Sequence, residues 1–211
     1  ELLIPFDEFP SIWGVSGPRK SGKTEFLTSF VHQLSLSKQK YEIDVFSGAR
    51  TQLTDYCESR KYKATFEPER IAERLDKIIE EDFDKRKKIR LIVFDDINFL
   101  WERTSEFNDK TIEALTKLAN KMYRKKDTFF VASFNYSTRM RTPLSQDALM
   151  REFVNNKTGL SLGYDGEWLV NSTALSKYTK KFDGVIPPGR GVFVLNGDEI
   201  EVQTYLYEEE E

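Results

Sequence analysis

Residues 12–24 read IWGVSGPRKSGKT, an apolar run that ends in Gly17-x-x-x-x-Gly22-Lys23-Thr24. The second half is the spelling of a phosphate-binding loop. Its two glycines let the backbone curl, so that successive N–H groups point at phosphate oxygens, and a helix that follows adds its positive end. Lys23 then reaches the β/γ-phosphates, and the Thr24 hydroxyl is a ligand for Mg²⁺. The whole loop is the candidate nucleotide site: Gly17, Pro18, Arg19, Lys20, Ser21, Gly22, Lys23 and Thr24. Its surroundings suit it. IWGVS reads as a buried strand, and from Lys23 onward Phe26, Leu27, Phe30, Val31 and Leu34 recur at helical spacing. His32 falls off that stripe and reads as a solvated residue.

A second stretch supports the first. RLIVFDD at 90–96 is four apolar residues followed by two aspartates, the pattern of a central parallel strand covered on both faces. Acids at the end of such a strand are what a Walker B motif requires. Asp95 is the candidate Mg²⁺ holder, and Asp96 stands where a carboxylate polarises an attacking water, so the two form the candidate catalytic pair. The strand TFFVAS at 128–133 ends in Ser133-Phe134-Asn135, where Ser133 and Asn135 are candidate γ-phosphate sensors. Arg139 and Arg141 follow, as candidate arginine fingers acting on a neighbouring subunit's site.

Between these motifs the chain alternates strand and helix. YEIDVF at 41–46 reads as a strand and 52–58 as a short helix. EPERIAERLDKIIEEDFDKRKK at 67–88 reads as a long helix with Pro68 near its start and an apolar face of Ile71, Leu75, Ile78, Ile79 and Phe83. A further helix spans about 108–125, with Lys121, Arg124, Lys125 and Lys126 at its negative pole. The alternation predicts a mainly parallel α/β sheet. Beyond residue 135 a helix at about 145–154 and a strand at 159–163 are expected. VFVLNGDEIEVQ then forms a β-hairpin about Asn196-Gly197, and residues 208–211 (EEEE) read as a disordered acidic tail.

Composition narrows the function. The 211 residues are 39% apolar and 32% charged, a globular mixture, and no apolar run reaches the length of a membrane span. One cysteine, Cys57, excludes an internal disulfide, and a single histidine speaks against a His/Cys metal site. A formal net charge of −3 argues against a broad nucleic-acid surface. A start at Glu1 rather than Met suggests one module, residues 1–211, cut from a larger multi-domain protein.

Taken with KTGLSLG at 157–163 and PPGRGVFVLNGDEIEVQ at 187–203, these motifs resemble the FtsK/SpoIIIE-type branch of P-loop ATPases. Within it the chain looks most like the last ATPase module of the membrane-anchored ATPase of type VII secretion in Bacillota. The resemblance implies a RecA-like three-layer sandwich and a cofactor of ATP with Mg²⁺. It implies neighbouring ATPase modules in the same chain, a homo-hexameric assembly, and a place on the cytoplasmic side of the bacterial membrane. The implied activity is export of small helical-hairpin proteins of the WXG100 kind. Two departures accompany it. Asp96 stands where active motors of this branch carry Glu, and Phe134 where DNA-translocating relatives carry Gln. A carboxylate drawn back by about 1.5 Å loses on the order of a hundredfold in a positioned reaction, so slow or conditional hydrolysis is expected. The alternatives are a DNA-translocating or genome-packaging motor of the FtsK/HerA superfamily, and a substrate-docking module that nucleotide merely stabilises.

Overall fold

The apolar runs at 12–16, 41–47, 89–95 and 128–134 become adjacent strands of one sheet. The computed structural model describes residues 9–83, 88–102, 105–122, 125, 127–136, 140, 142–143, 146–164, 168–169 and 186–204. Arg139, Arg141, Arg124, Lys126 and the tail 208–211 lie outside the described residues. The strands are β1 (Ile12–Ser16), β2 (Tyr41–Ser47), β3 (Lys63–Thr65), β4 (Ile89–Asp95), β5 (Thr128–Phe134), β6 (Gly159–Leu162), β7 (Arg190–Leu195) and β8 (Asp198–Gln203). They form one sheet in the order β3-β2-β4-β5-β1-β6-β7-β8. Pairings from β3 to β6 are parallel, and β6-β7-β8 are antiparallel. The expected α/β class, mainly parallel sheet and C-terminal hairpin are therefore present.

Helices α1 (Lys23–Leu36), α2 (Gln52–Ser59), α3 (Pro68–Glu80), α4 (Phe99–Glu102), α5 (Glu106–Met122) and α6 (Ala148–Asn156) cover both faces. On one face Phe46, Phe94 and Phe130 pack against α3, α5 and α6 through Ile71, Leu75, Leu115, Leu118 and Phe153. On the other, Val15, Val45, Val93 and Val131 pack against α1 and α2 through Leu27, Val31 and Leu53. Alternating strand side chains thus feed two cores, giving three layers. Cys57 lies in the second core, where burial pushes its thiol up to about 12 and keeps it protonated.

Four details differ from the sequence reading. Helix α3 stops at Glu80 rather than Lys88, because Glu81 takes an extended conformation (φ −65°, ψ 147°). The ammonium of Lys121 donates to the carbonyls of Ile79 and Glu81 and closes that helix end. Phe83 still reaches the core by turning under it. Strand β3 and helix α4 add two short elements that no periodicity marks. His32, expected to be solvated, is half-buried, with Nδ1 3.1 Å from the Tyr56 hydroxyl of α2.

The topology positions the site. β5 lies between β1 and β4, so the phosphate loop at the end of β1 and the aspartates at the end of β4 face each other across one intervening strand.

Candidate functional site

The loop after β1 is built from backbone that other residues resist. Gly22 has φ 97° and Lys20 φ 64°. A Cβ at Gly17 would lie 2.3 Å from Ser21 Oγ and 2.9 Å from Leu162 O, and one at Gly22 would lie 3.0 Å from Gly189 N. The turn is pinned by Gly17 N–H donating to Phe134 O (3.1 Å) and Ser21 N–H donating to Pro18 O (3.2 Å). Helix α1 begins at once, with Phe26 N–H on Gly22 O at 2.9 Å. Inside the curl, Ser21 Oγ is buried with no hydrogen-bond partner among the described residues. A crowded floor, an orphaned hydroxyl and a helix start fit a phosphate group.

Thr24 and Asp95 meet directly. The Thr24 hydroxyl donates toward both Asp95 carboxylate oxygens, at 3.2 and 3.0 Å. With its proton turned to the carboxylate, the hydroxyl keeps its lone pairs for a cation. Asp95 is 1% exposed and also accepts from Ser133 Oγ at 2.9 Å. That same hydroxyl accepts from Asp96 N–H at 2.7 Å, so the fully buried Ser133 braces both aspartates. Among the described residues no three His, Cys, Asp or Glu side chains gather as a metal cage. A Mg²⁺ held by Thr24 and Asp95 would complete its octahedron with phosphate oxygens and water.

Asp96 departs from ordinary strand geometry. Its φ of 55° is left-handed, a region Asp tolerates better than most residues. The carboxyl is exposed, yet the protein crowded beneath it pushes its pKa above the usual carboxylate range. Asp95 and Glu102 push the same way, while Lys23 and the Asn98 N–H pull against them. Water on the open side tempers the shift.

Of the two sensor candidates, Asn135 is the one that meets the loop. Lys23 Nζ donates to Asn135 Oδ1 at 2.8 Å, to Gly17 O at 2.8 Å and to Pro18 O at 3.0 Å. Phe134 points the other way, into the core against Phe153 and Trp168 at 5.7 and 5.2 Å between ring centroids. A Gln there would have its amide in an aromatic cluster.

Two contributors are not among the candidate site residues, Asn98 without any sequence signal and the PPGRG turn as a motif with no assigned contact. Asn98, 4% exposed, donates from Nδ2 to Asn135 O (3.1 Å) and accepts from Asn135 N–H (2.7 Å) at Oδ1. The Pro187–Gly189 turn lies on the phosphate loop, with Gly189 N–H donating to Ser21 O at 2.7 Å. That turn is held in turn by Gln203 Nε2 on Pro188 O (3.0 Å) and Thr204 N–H on Gly189 O (2.8 Å). The PPGRG motif thus reaches the loop through Gly189, and the final Gln of the hairpin braces that turn.

Comparison with solved structures places this geometry. The cytoplasmic domain of the Thermomonospora curvata type VII secretion ATPase EccC superposes with a TM-score of 0.67 at 14% identity, over 97% of this chain and 24% of that one. The cytoplasmic domain of EssC gives 0.63 at 16% identity, over 97% and 40%. The pCW3 conjugation coupling protein TcpA, solved with ATPγS, gives 0.66 at 13%, over 95% and 62%. The fold is that of a P-loop ATPase module. No family model and no curated protein matches the sequence. The chain spans less than two thirds of each of these three chains, and no helix among its described residues is long and apolar enough to cross a membrane.

Proposed function

We propose that the chain is an ATP-binding module of a type VII protein-secretion ATPase, binding Mg-ATP through its phosphate loop and hydrolysing it slowly or conditionally. The observation that carries the reading is the Thr24–Asp95 contact, which joins loop and acidic strand across β5 in the arrangement a phosphate-bound cation needs. Lys23 binds the β/γ-phosphates, Thr24 and Asp95 hold Mg²⁺, and Asp96 orients the attacking water. Bound Mg²⁺ supplies the positive charge that neutralises the transferring phosphate. Arg139 and Arg141 remain the candidates for a finger reaching a neighbouring site. In the parent protein the module works beside further ATPase modules in a hexamer at the cytoplasmic face of the bacterial membrane, exporting WXG100-type proteins.

Mg-ATP titration of the wild type and Lys23→Ala tests the site. Micromolar binding by the wild type with at least a hundredfold loss in the variant is expected, and no binding by the wild type overturns the reading. Turnover of the same protein against Asp96→Glu tests the chemistry. The longer carboxylate is expected to hydrolyse ATP faster, and rapid wild-type turnover removes the proposal of a slow site.

The likeness to a conjugation coupling protein favours a second reading, a DNA-translocating motor. Salt-dependent binding of duplex DNA would carry it, against a net charge of −3.

A further inference from the structure

We infer that Asn98 and Asn135 set the affinity of the phosphate loop by competing for Lys23: Asn135 is the competing acceptor, and Asn98 is the positioning residue that aims it. This rests on the nucleotide reading above. An ammonium has three N–H donors, and Gly17 O, Pro18 O and Asn135 Oδ1 together accept that many bonds from Lys23. Phosphate gains the lysine only by displacing an acceptor. The two carbonyls belong to the loop itself. Asn135, the residue after β5, is the only side chain of the three.

Asn135 is aimed from another connection, the turn after β4. Asn98, on the turn after β4, closes a two-bond ring on the Asn135 peptide groups, accepting from its N–H at 2.7 Å and donating to its carbonyl at 3.1 Å. At 4% exposure Asn98 has no water to replace either bond, so the ring fixes where Asn135 points. Asn98 itself stands two residues after Asp96, on the same turn. One residue therefore ties the turn that bears the catalytic candidate to the group that holds the loop lysine.

This role has a sign opposite to that of a γ-phosphate sensor. A sensor donates to the γ-phosphate, and its loss weakens triphosphate binding alone. A competitor accepts from Lys23, and its loss tightens diphosphate and triphosphate alike.

The test reads Lys23 first without nucleotide. Acetylation of Lys23 is followed by mass spectrometry in the wild type, Asn135→Ala, Asn98→Ala and the double variant, with the exposed Lys117 as internal reference. Lys23 is expected to react about three- to tenfold faster in each single variant, the net worth of one intramolecular hydrogen bond. The double variant should be no faster than Asn135→Ala, because both act through one contact. Asn135→Asp, which strengthens the acceptor, should slow the reaction, and it serves if Asn98→Ala does not fold. Mg-ADP and Mg-ATPγS titrations of the wild type and Asn135→Ala follow, with tightening of both by a similar factor expected. An unchanged Lys23 rate in Asn135→Ala overturns the inference, as does a loss confined to ATPγS. If labelling changes as expected while no variant binds either nucleotide, the competition stands and the nucleotide reading falls.

Discussion

Two buried polar clusters occupy opposite ends of β4, and they are built on different terms. At the strand's start Arg90, 0% exposed, contacts Glu42 at 2.7 Å, Glu81 at 2.8 Å and Asp44 at 3.2 Å. Arg74 from α3 donates twice to Asp44 Oδ1, at 2.8 and 2.5 Å. The Arg90–Asp44 contact has ion-pair distance without hydrogen-bond alignment, and Arg90 Nε and Nη1 find no acceptor among the described residues. At the strand's end Asp95 is as buried, yet its partners are hydroxyls, and a glycine-walled curl lies beside it. The first cluster sets charge against charge and seals its unmet Arg90 donors and Asp44 Oδ2 inside the protein, while in the second the Thr24 lone pairs and Ser21 Oγ lie unused at the loop after β1. Burial of charge alone does not mark function. What marks it here is unspent hydrogen-bonding capacity in a place where backbone has been given room.

The largest effect should come from breaking the first cluster. Arg90→Ala leaves Asp44 buried with Arg74 as its cation, and loss of one partner of a buried pair costs about 3 kcal/mol. For a chain of this size that lowers the melting temperature by about 6–12 °C. Nucleotide affinity of the folded fraction should be unchanged. Calorimetry with a Mg-ADP titration checks both, and a fall in affinity with no loss of stability would reverse the roles assigned to the two ends.

What could be read in the sequence followed the range of the interactions. The Gly17–Thr24 turn from strand into helix, the LIVFDD strand and the Asn196-Gly197 hairpin are local patterns, and each appears where the residues indicate. Asn196 at φ 53° and Gly197 at φ 92° show why that dipeptide turns. Asn98, by contrast, meets Asn135 across 37 positions, and nothing in the spelling INF sets its amide apart from a loop polar residue. Gly189 reaches Ser21 from far along the chain, so PPGRG showed a motif without showing what it touches. The end of α3 was hidden because charged residues continue its helical pattern, while Lys121 of another helix decides where it closes. Arg90 read as the edge of an apolar run, since one residue cannot announce its acids on β2 and after α3.

A middle-sized effect separates strain at the site from strain elsewhere. Gly189 (φ 79°) and Gly197 (φ 92°) are both left-handed, so alanine at either costs about 1–2 kcal/mol in backbone energy. A Cβ at Gly197 meets nothing within 4 Å, whereas one at Gly189 lies 2.6 Å from Thr204 Oγ1 and 2.8 Å from Gln203 Nε2. Gly189 also supplies the N–H that holds Ser21 O. Gly189→Ala should therefore weaken Mg-ADP binding about three- to tenfold, as expected for one displaced hydrogen bond. Gly197→Ala should lower stability similarly and leave affinity alone. Equal affinities in the two variants would detach the hairpin from the loop.

The smallest effect concerns Asp96 and its response to pH. Its carboxyl is raised above the ordinary range chiefly by burial of its base. The folded protein then holds that proton more tightly than the unfolded chain, so folding favours the protonated form. The associated stability is fully present below the unfolded value, about 3.9, and is lost as pH rises through the higher folded value. At neutral pH the ionised group is thus a mild burden. Asp96→Asn should raise the melting temperature there, by about 1–2 °C given the exposed tip, and the gain should vanish as pH falls toward 4. Hydrolysis moves oppositely, since only the carboxylate polarises water, so wild-type turnover should rise with pH through the same interval in which that stability is lost. A turnover profile flat between pH 4 and 7 would take Asp96 out of the chemistry and leave it as a strained residue that holds the turn above Ser133.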